Sequence, residues 1–251
     1  MSSLYASKAE NYAKYRWEYS TQAIAAIWSV AGVCFQTVVA DIGAGPGFVA
    51  KHFVGKVGMV HVIEPEKEMR ALAEQAFRGK PTCQALAASA EDTTLPSASV
   101  DLITVGQAIH WFNPEETRKE FLRILKSSGW LAVLHNYGTD AVYGKEVGTL
   151  FERFSKPEPS RLISYPQMSF YYGNEDFQKM LFAFDFSLTW EQFLGSLMSS
   201  ALIPNEGDQN FDEFKTAAMK VFDSLSYMGI VKSSGETELF LGRVTPWQSL
   251  L

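Results

Sequence analysis

Basic residues are scarce in this 251-residue chain: 22 Lys and Arg stand against 28 Asp and Glu, a formal net charge of −6, and they are not clustered. A nucleic-acid surface neutralises phosphates with grouped Lys and Arg, so that class of partner is excluded. Only two cysteines are present. Cys34 and Cys83 lie in or beside apolar stretches without C-x-x-C spacing, which argues against a disulfide or metal pair and reads as two buried reduced thiols. The four histidines, His52, His61, His110 and His135, are scattered without ligand spacing, so no metal site is expected. No apolar run approaches the roughly 20 residues that span a bilayer. Met1 to Asn11 lacks the basic and apolar segments of a signal peptide. The expected location is therefore cytoplasmic, without a membrane partner. Internal repeats and low-complexity tracts are also missing.

What is present is apolar and periodic. With 47% hydrophobic and 20% charged residues, the chain is long enough for one α/β core plus an accessory layer. Helical spacing runs from Ala6 to Ile27. Then the pattern alternates: strand 37–42, a helix from Pro46, strand 58–63, helix 66–78, strand 82–87, strand 100–106, helix 114–125 and strand 129–135. Short apolar runs alternating with helices are what a parallel sheet covered on both faces requires. Asn113 as N-cap, Pro114 at the first helical position and Glu115 and Glu116 behind it mark the start of the 114–125 helix; Ser128-Gly129 is its predicted stop. From Ala141 onward the β-α alternation ceases and an aromatic-rich stretch begins, broken by Pro157, Pro159, Pro166 and Pro204. Trp190, Phe193, Leu194, Leu197 and Met198, and then Phe211, Phe214, Ala218, Val221, Phe222 and Leu225, recur at helical spacing. Runs at 181–188 and 237–244 read as strands that complete the sheet as an antiparallel edge pair. The expected architecture is a doubly wound, mostly parallel seven-stranded α/β sheet, Rossmann-like, with a helical, aromatic-rich cap. Its expected parts are an N-terminal helical lid (1–36), the α/β core (37–140), the cap with a late strand (141–236) and a final edge strand and tail (237–251).

In such sheets ligands lie beyond the carboxyl ends of the strands. Asp41 to Gly47, Glu64, Ser89 to Glu91 and Gly106 to Trp111 all fall there. The run Asp41-Ile42-Gly43-Ala44-Gly45-Pro46-Gly47 spells D-x-G-x-G-x-G, which differs from the dinucleotide fingerprint G-x-G-x-x-G that sets a pyrophosphate on a helix N-terminus. Glycines there let the main chain turn sharply and approach a ligand closely. Glu64, 19 residues beyond Gly45, closes the next apolar run, where a carboxylate accepts hydrogen bonds from the ribose 2′ and 3′ hydroxyls and repels a phosphate. The pair favours S-adenosylmethionine over NAD, with Asp41 anchoring the loop and the ligand ammonium. Met69, one turn into the following helix, is placed to lie against adenine, or else belongs to the core.

Beyond these residues, the stretch from Val38 to Asn136 resembles the class I S-adenosylmethionine-dependent methyltransferases, especially small-molecule enzymes similar to the trans-aconitate and ubiquinone/menaquinone methyltransferases. The resemblance rests on DIGAGPG at 41–47, EPEKEM at 64–69, SAEDTTLP at 89–96, SVDLITVGQAIHWF at 99–112 and LKSSGWLAV at 125–133. It implies that Asp41, Gly43, Ala44 and Gly45 hold the methionine part, Glu64 with Pro65 the ribose, and Ala90 with Glu91 the adenine, while Gln107 lines the cleft beside the sulfonium. It leaves Arg16 available to meet the cofactor carboxylate, and Tyr12, Tyr15 and Arg16 on the N-terminal helix are placed to close over the cofactor. Two departures stand out: Ser89 replaces an Asp frequent before the Ala-Glu pair, and Trp17 replaces a proline frequent after the arginine.

Methyl transfer needs a positioned nucleophile and exclusion of water, and a base only when the acceptor must lose a proton. His110 is the candidate base, with His135 competing for the role. Packing of His110 beside Trp111 is the structural alternative. Candidate substrate residues are His110, Trp111, Tyr171 and Trp190; Arg161 is a weaker candidate for a substrate carboxylate. The expected activity is transfer of a methyl group to an O, N or C atom of a small, apolar or aromatic metabolite, by a monomer or homodimer. The alternative is a protein of the same fold that binds the cofactor without methyl transfer.

Overall fold

The structure, a computed structural model, describes residues 8–156 and 166–246; Arg161 and the prolines at 157 and 159 lie outside them. The chain divides into two compact units. Among the described residues, the α/β unit comprises 19–135, 166–182 and 237–246, and the helical unit comprises 8–18, 136–156 and 183–236.

Five parallel strands frame the α/β unit: β1 (Val38–Ile42), β2 (Met59–Ile63), β3 (Cys83–Leu86), β4 (Val100–Gly106) and the first part of β5 (Leu125–Gly138). With β6 (Gln178–Leu188) and β8 (Ile230–Arg243) the sheet order is β3-β2-β1-β4-β5-β8-β6, and the two-residue β7 (Ser226–Tyr227) pairs antiparallel with β8. The order reverses between β1 and β4, the place where open α/β sheets hold their ligands. Ala40, Ile42, Ile63, Ile103, Val105, Leu131 and Val133 build one buried apolar layer. Val39, Val60, Val62, Leu102, Ala132 and Leu134 build the other, against Ile24 and Ile27 of α2 (Thr21–Val30) and Phe53. Alternate residues of each strand thus serve opposite faces, the period-two rule of a sheet covered on both sides.

Several sequence expectations are corrected. The N-terminal helical pattern forms two helices, α1 (Ala9–Tyr15) and α2, because Arg16 turns extended and Ser20 starts a new helix by accepting the Gln22 N–H at 3.3 Å. No α-helix follows Pro46; a series of turns leads to a single 3-10 turn at Ala50–His52. Gly43, Gly45 and Gly47 all take positive φ, which breaks the right-handed repeat. α3 (Lys67–Ala76) and α4 (Pro114–Ile124) stand where expected, and Asn113 Oδ1 caps α4 by accepting the Glu116 N–H. α4 does not wait for Ser128-Gly129 to stop: Leu125 turns extended and opens β5 directly. β5 runs on to Gly138, so His135 is interior to a strand rather than at its end. Cys34 is exposed, not buried, because it lies in the loop between α2 and β1; Cys83 is half-buried, and both are free.

The helical unit contains α1, α5 (Ala141–Phe154), α7 (Trp190–Met198) and α8 (Phe211–Leu225). α7 and α8 match the predicted amphipathic helices. The aromatic pattern gave no notice of α5, whose N-terminus is set by Asp140 accepting the Val142 and Tyr143 N–H groups. Tyr143, Phe193, Phe214 and Phe222 form this unit's core.

Candidate functional site

Asp41 is fully buried at the end of β1. Its Oδ1 accepts the Thr104 hydroxyl at 2.7 Å and its Oδ2 accepts the Ala50 N–H at 2.9 Å. The carboxylate thus ties β1 to β4 and to the turn behind the glycines. Burial pushes its pKa up to about 7, against the two hydrogen bonds that favour the charged form. The expected anchoring of the loop is visible here, through one hydrogen bond on each Asp41 oxygen.

The glycine loop itself leans on β2: the N–H groups of Gly43 and Ala44 both donate to the Ile63 carbonyl, at 2.9 and 3.1 Å. Two of the glycines are required for different reasons. A Cβ on Gly43 would stand 2.6 Å from the Ala108 Cβ, so packing against the loop after β4 demands its absence. Gly45 has φ +57° and no heavy atom within 4 Å of the place a Cβ would take, so there the demand is conformational and the main chain faces open space.

Across that loop stands Glu64, 6% exposed. Its Oε2 accepts the Gly45 N–H at 2.7 Å and its Oε1 accepts the Glu66 N–H at 2.9 Å. Its main-chain carbonyl accepts from Arg70 at 2.9 Å. Desolvation raises its pKa despite those amide bonds. An acid at the end of β2 is therefore bonded directly to the loop at the end of β1, the juxtaposition that the spacing of the two motifs predicts. Pro65 beside it is exposed, and Met69 is buried on α3.

In the loop after β3, Ala90 is buried and Ser89 and Glu91 are half-buried. Glu91 Oε1 accepts the Asn113 N–H at 2.8 Å, so its carboxylate supports the start of α4. Deeper in the same loop Glu120 of α4 accepts the Thr93 N–H at 2.8 Å and its hydroxyl at 2.5 Å, while Arg123 binds both carboxylate oxygens at 2.6 and 2.7 Å. At the end of β4, Gln107 holds φ +52°, a left-handed conformation that a non-glycine residue adopts at a cost, while its N–H donates to Leu134. His110 and Trp111 follow on a 3-10 turn, both half-buried, with ring centroids 5.1 Å apart.

The structure brings Asp41, Gly43, Ala44, Gly45, Glu64, Gln107, His110 and Trp111 into one unit at the carboxyl ends of adjacent strands. Tyr171 is fully buried in the core of that unit, on α6 (Met168–Tyr172) beside Phe170. His135 is half-buried, with its pKa lowered by desolvation, edge-on to Phe240. Tyr12, Arg16 and Trp190 belong to the helical unit. There Arg16 stacks over Tyr12 at 5.0 Å, and Trp190 packs against Phe193 and Phe222. Sequence reasoning missed Thr104. Thr104 carried a signal, a polar residue inside the apolar run Leu102–Val105 of β4; its partner Asp41 is 63 positions away.

Residues 40–133 match the methyltransferase-domain family. An uncharacterized methyltransferase-like protein of Schizosaccharomyces pombe is 31% identical over 169 residues, 65% of this chain and 64% of the relative. An uncharacterized methyltransferase of Mycobacterium tuberculosis is 30% identical over 125 residues, 49% of this chain and 50% of the relative. The chain thus spans between half and just under two thirds of the length of these curated relatives. Among solved structures, one from Anaeromyxobacter dehalogenans that carries a type II methyltransferase name is 21% identical, covers 92% of this chain and 99% of its own, and has a TM-score of 0.62. The YcgJ protein of Bacillus subtilis is 19% identical, covers 90% and 100%, and has a TM-score of 0.59. At such identities these structures show the fold alone. The glycine loop, the acid at the end of β2, the sheet order and the match over residues 40–133 agree: residues 40–133 of this chain are a methyltransferase domain.

Proposed function

We propose that this protein transfers the methyl group of S-adenosylmethionine to an oxygen, nitrogen or carbon atom of a small, apolar or aromatic metabolite, in the cytoplasm and without a nucleic-acid or membrane partner. The observation that carries the cofactor assignment is the bond between Glu64 Oε2 and the Gly45 amide. A pyrophosphate would place its charges against a desolvated carboxylate, whereas ribose hydroxyls donate to one. The open space beside Gly45 fits a ligand that meets bare main chain, as an uncharged adenosine and an amino-acid end require.

When bound, S-adenosylmethionine supplies a carbon already activated by its sulfonium. The protein's share is positioning and exclusion of water. Glu64 accepts the ribose hydroxyls, the Gly43–Gly45 main chain flanks the amino-acid part, and Ser89 and Ala90 border the adenine. Gln107 lines the reacting end. His110, on the half-buried turn after β4, takes the acceptor's proton where one must leave. The preference for a small acceptor over a polyanion is supported by the lack of clustered cations in the sequence.

Incubation with S-adenosylmethionine and a metabolite library tests the reading: S-adenosylhomocysteine and a product heavier by one methylene are expected. Tight binding without turnover across broad libraries contradicts methyl transfer and favours a binding protein. With a substrate in hand, His110→Ala lowers turnover by about 100-fold or more and leaves the cofactor dissociation constant unchanged. Equal turnover removes His110 from the reaction.

A further inference from the structure

The two edges of the sheet are unequal. β3 closes one with four residues, and a short strand leaves little edge for another chain to pair with. β6 closes the other with eleven residues, and that run contains no proline. Among the described residues β8 is its one neighbour in the sheet, so the N–H and C=O groups along its far side face no strand. From Lys179 to Ser187 its side chains alternate without a break. Lys179, Leu181, Ala183, Asp185 and Ser187 are exposed, whereas Met180, Phe182, Phe184 and Phe186 are half-buried. Four large apolar side chains on one face are thus only partly covered, and on the other face Leu181 is 51% exposed.

A second copy of the same strand complements this edge. In an antiparallel pair, residues directly opposite each other point to the same face. A two-fold axis at Phe182 therefore keeps exposed side chains beside exposed ones and half-buried beside half-buried, the register that a sheet with one covered face requires. Met180 then meets Phe184 of the second copy, Phe182 meets its own equivalent, and Leu181 meets Ala183. Lys179 meets Asp185 on both sides of the axis. Moving the axis by one residue sets Lys179 against Ser187 or Ala183 and leaves the charges unmatched. Within its own chain Lys179 bonds Glu238 at 2.7 Å and lies over the Phe240 ring, yet its side chain is 55% exposed; Asp185 makes no ion pair among the described residues. A lysine on an edge strand ordinarily guards it against pairing, but an acid placed at the symmetric position turns the guard into a match. We propose that the chain forms a two-fold dimer by antiparallel pairing of β6 with β6 of a second copy, in the register that opposes Lys179 to Asp185. Such an interface is closed, and the short β3 edges do not extend it.

Sedimentation of the full chain at micromolar concentration is expected to give twice the 28.0 kDa of one chain. Asp185→Lys opposes lysine to lysine twice, and Lys179→Asp opposes acid to acid twice, so each alone is expected to weaken the dimer at least about tenfold. Mixed in equal amounts, the two variants match every charge again, and a heterodimer as tight as the wild-type dimer is expected. High salt, which screens exposed like charges, is expected to restore part of the Asp185→Lys dimer; this reading needs no second variant. Both positions are exposed, and circular dichroism verifies that each variant is folded. A wild type that sediments as a monomer overturns the proposal. A dimer unmoved by either substitution overturns it as well, because another surface must then hold the copies together. Folded single variants that weaken the dimer but form no heterodimer when mixed contradict the register and with it the proposed pairing.

Discussion

Two sets of carboxylates in the α/β unit are held on opposite terms. Asp41 and Glu64, at the carboxyl ends of β1 and β2, are bonded through their side-chain oxygens to amides and a hydroxyl, and burial drives both pKa values up. Glu120 and Asp101 are held by cations. Glu120 is clasped by Arg123; desolvation pushes its pKa up, but the bonds from Arg123 and Thr93 outweigh that and leave it lowered. Asp101 meets Lys126 at 2.8 and 2.9 Å and accepts the Val38 N–H. The second pair is spent on holding strands and loops in register. The first pair concentrates desolvated negative charge where the strand order reverses, and perturbed acids in such a crevice mark a functional site. Each Glu64 oxygen accepts one amide and keeps a second lone pair for a ligand's hydroxyl, whereas both Glu120 oxygens are locked to a guanidinium.

The largest expected effect comes from removing charge at the first pair. Because the folded pKa of Asp41 lies near 7 and its ordinary value is 3.8, the native state binds the extra proton between those limits, and stability falls as pH rises through them. Relative to Asp41→Asn, the wild type should therefore lose up to about 4 kcal/mol between pH 4 and pH 8. Urea unfolding at several pH values reads this directly, and parallel pH slopes for the two proteins would show that Asp41 does not titrate in this way. Next, Glu64→Ala should weaken cofactor binding by about 1.5–3 kcal/mol, with a smaller change in stability; an unchanged dissociation constant denies Glu64 its ribose role. The smallest effect belongs to the second set: Lys126→Ala breaks a half-exposed pair and should cost less than about 1 kcal/mol in stability, diminishing in high salt. Cofactor affinity should stay the same, and a loss there would erase the distinction between the two sets.

Much of the site was legible because its signals are local. Glycines alternating after an apolar run, an acid closing the next one, and Asn-Pro-Glu-Glu before a helical pattern each report on their own few residues. The expected helix after Pro46 failed for a local reason as well, since three positive-φ glycines outweigh the helical pattern behind them. What stayed hidden is set by distant partners. Glu91 supports α4 from 22 positions away, and Thr104 reaches Asp41 across 63. Tyr171 and Trp190 carried the same aromatic signal whether they walled a pocket or filled a core; Tyr171 is fully buried, while Trp190 is half-buried against Phe193 and Phe222.

The central claim is that Glu64 and the glycine loop are built for an adenosine carrying an amino-acid end and not for a pyrophosphate. Calorimetric titration of the wild type with S-adenosylhomocysteine and with NAD, under identical conditions, tests it most directly. Saturable one-to-one binding of S-adenosylhomocysteine with no detectable NAD binding is the predicted result; saturable NAD binding without S-adenosylhomocysteine binding would contradict it.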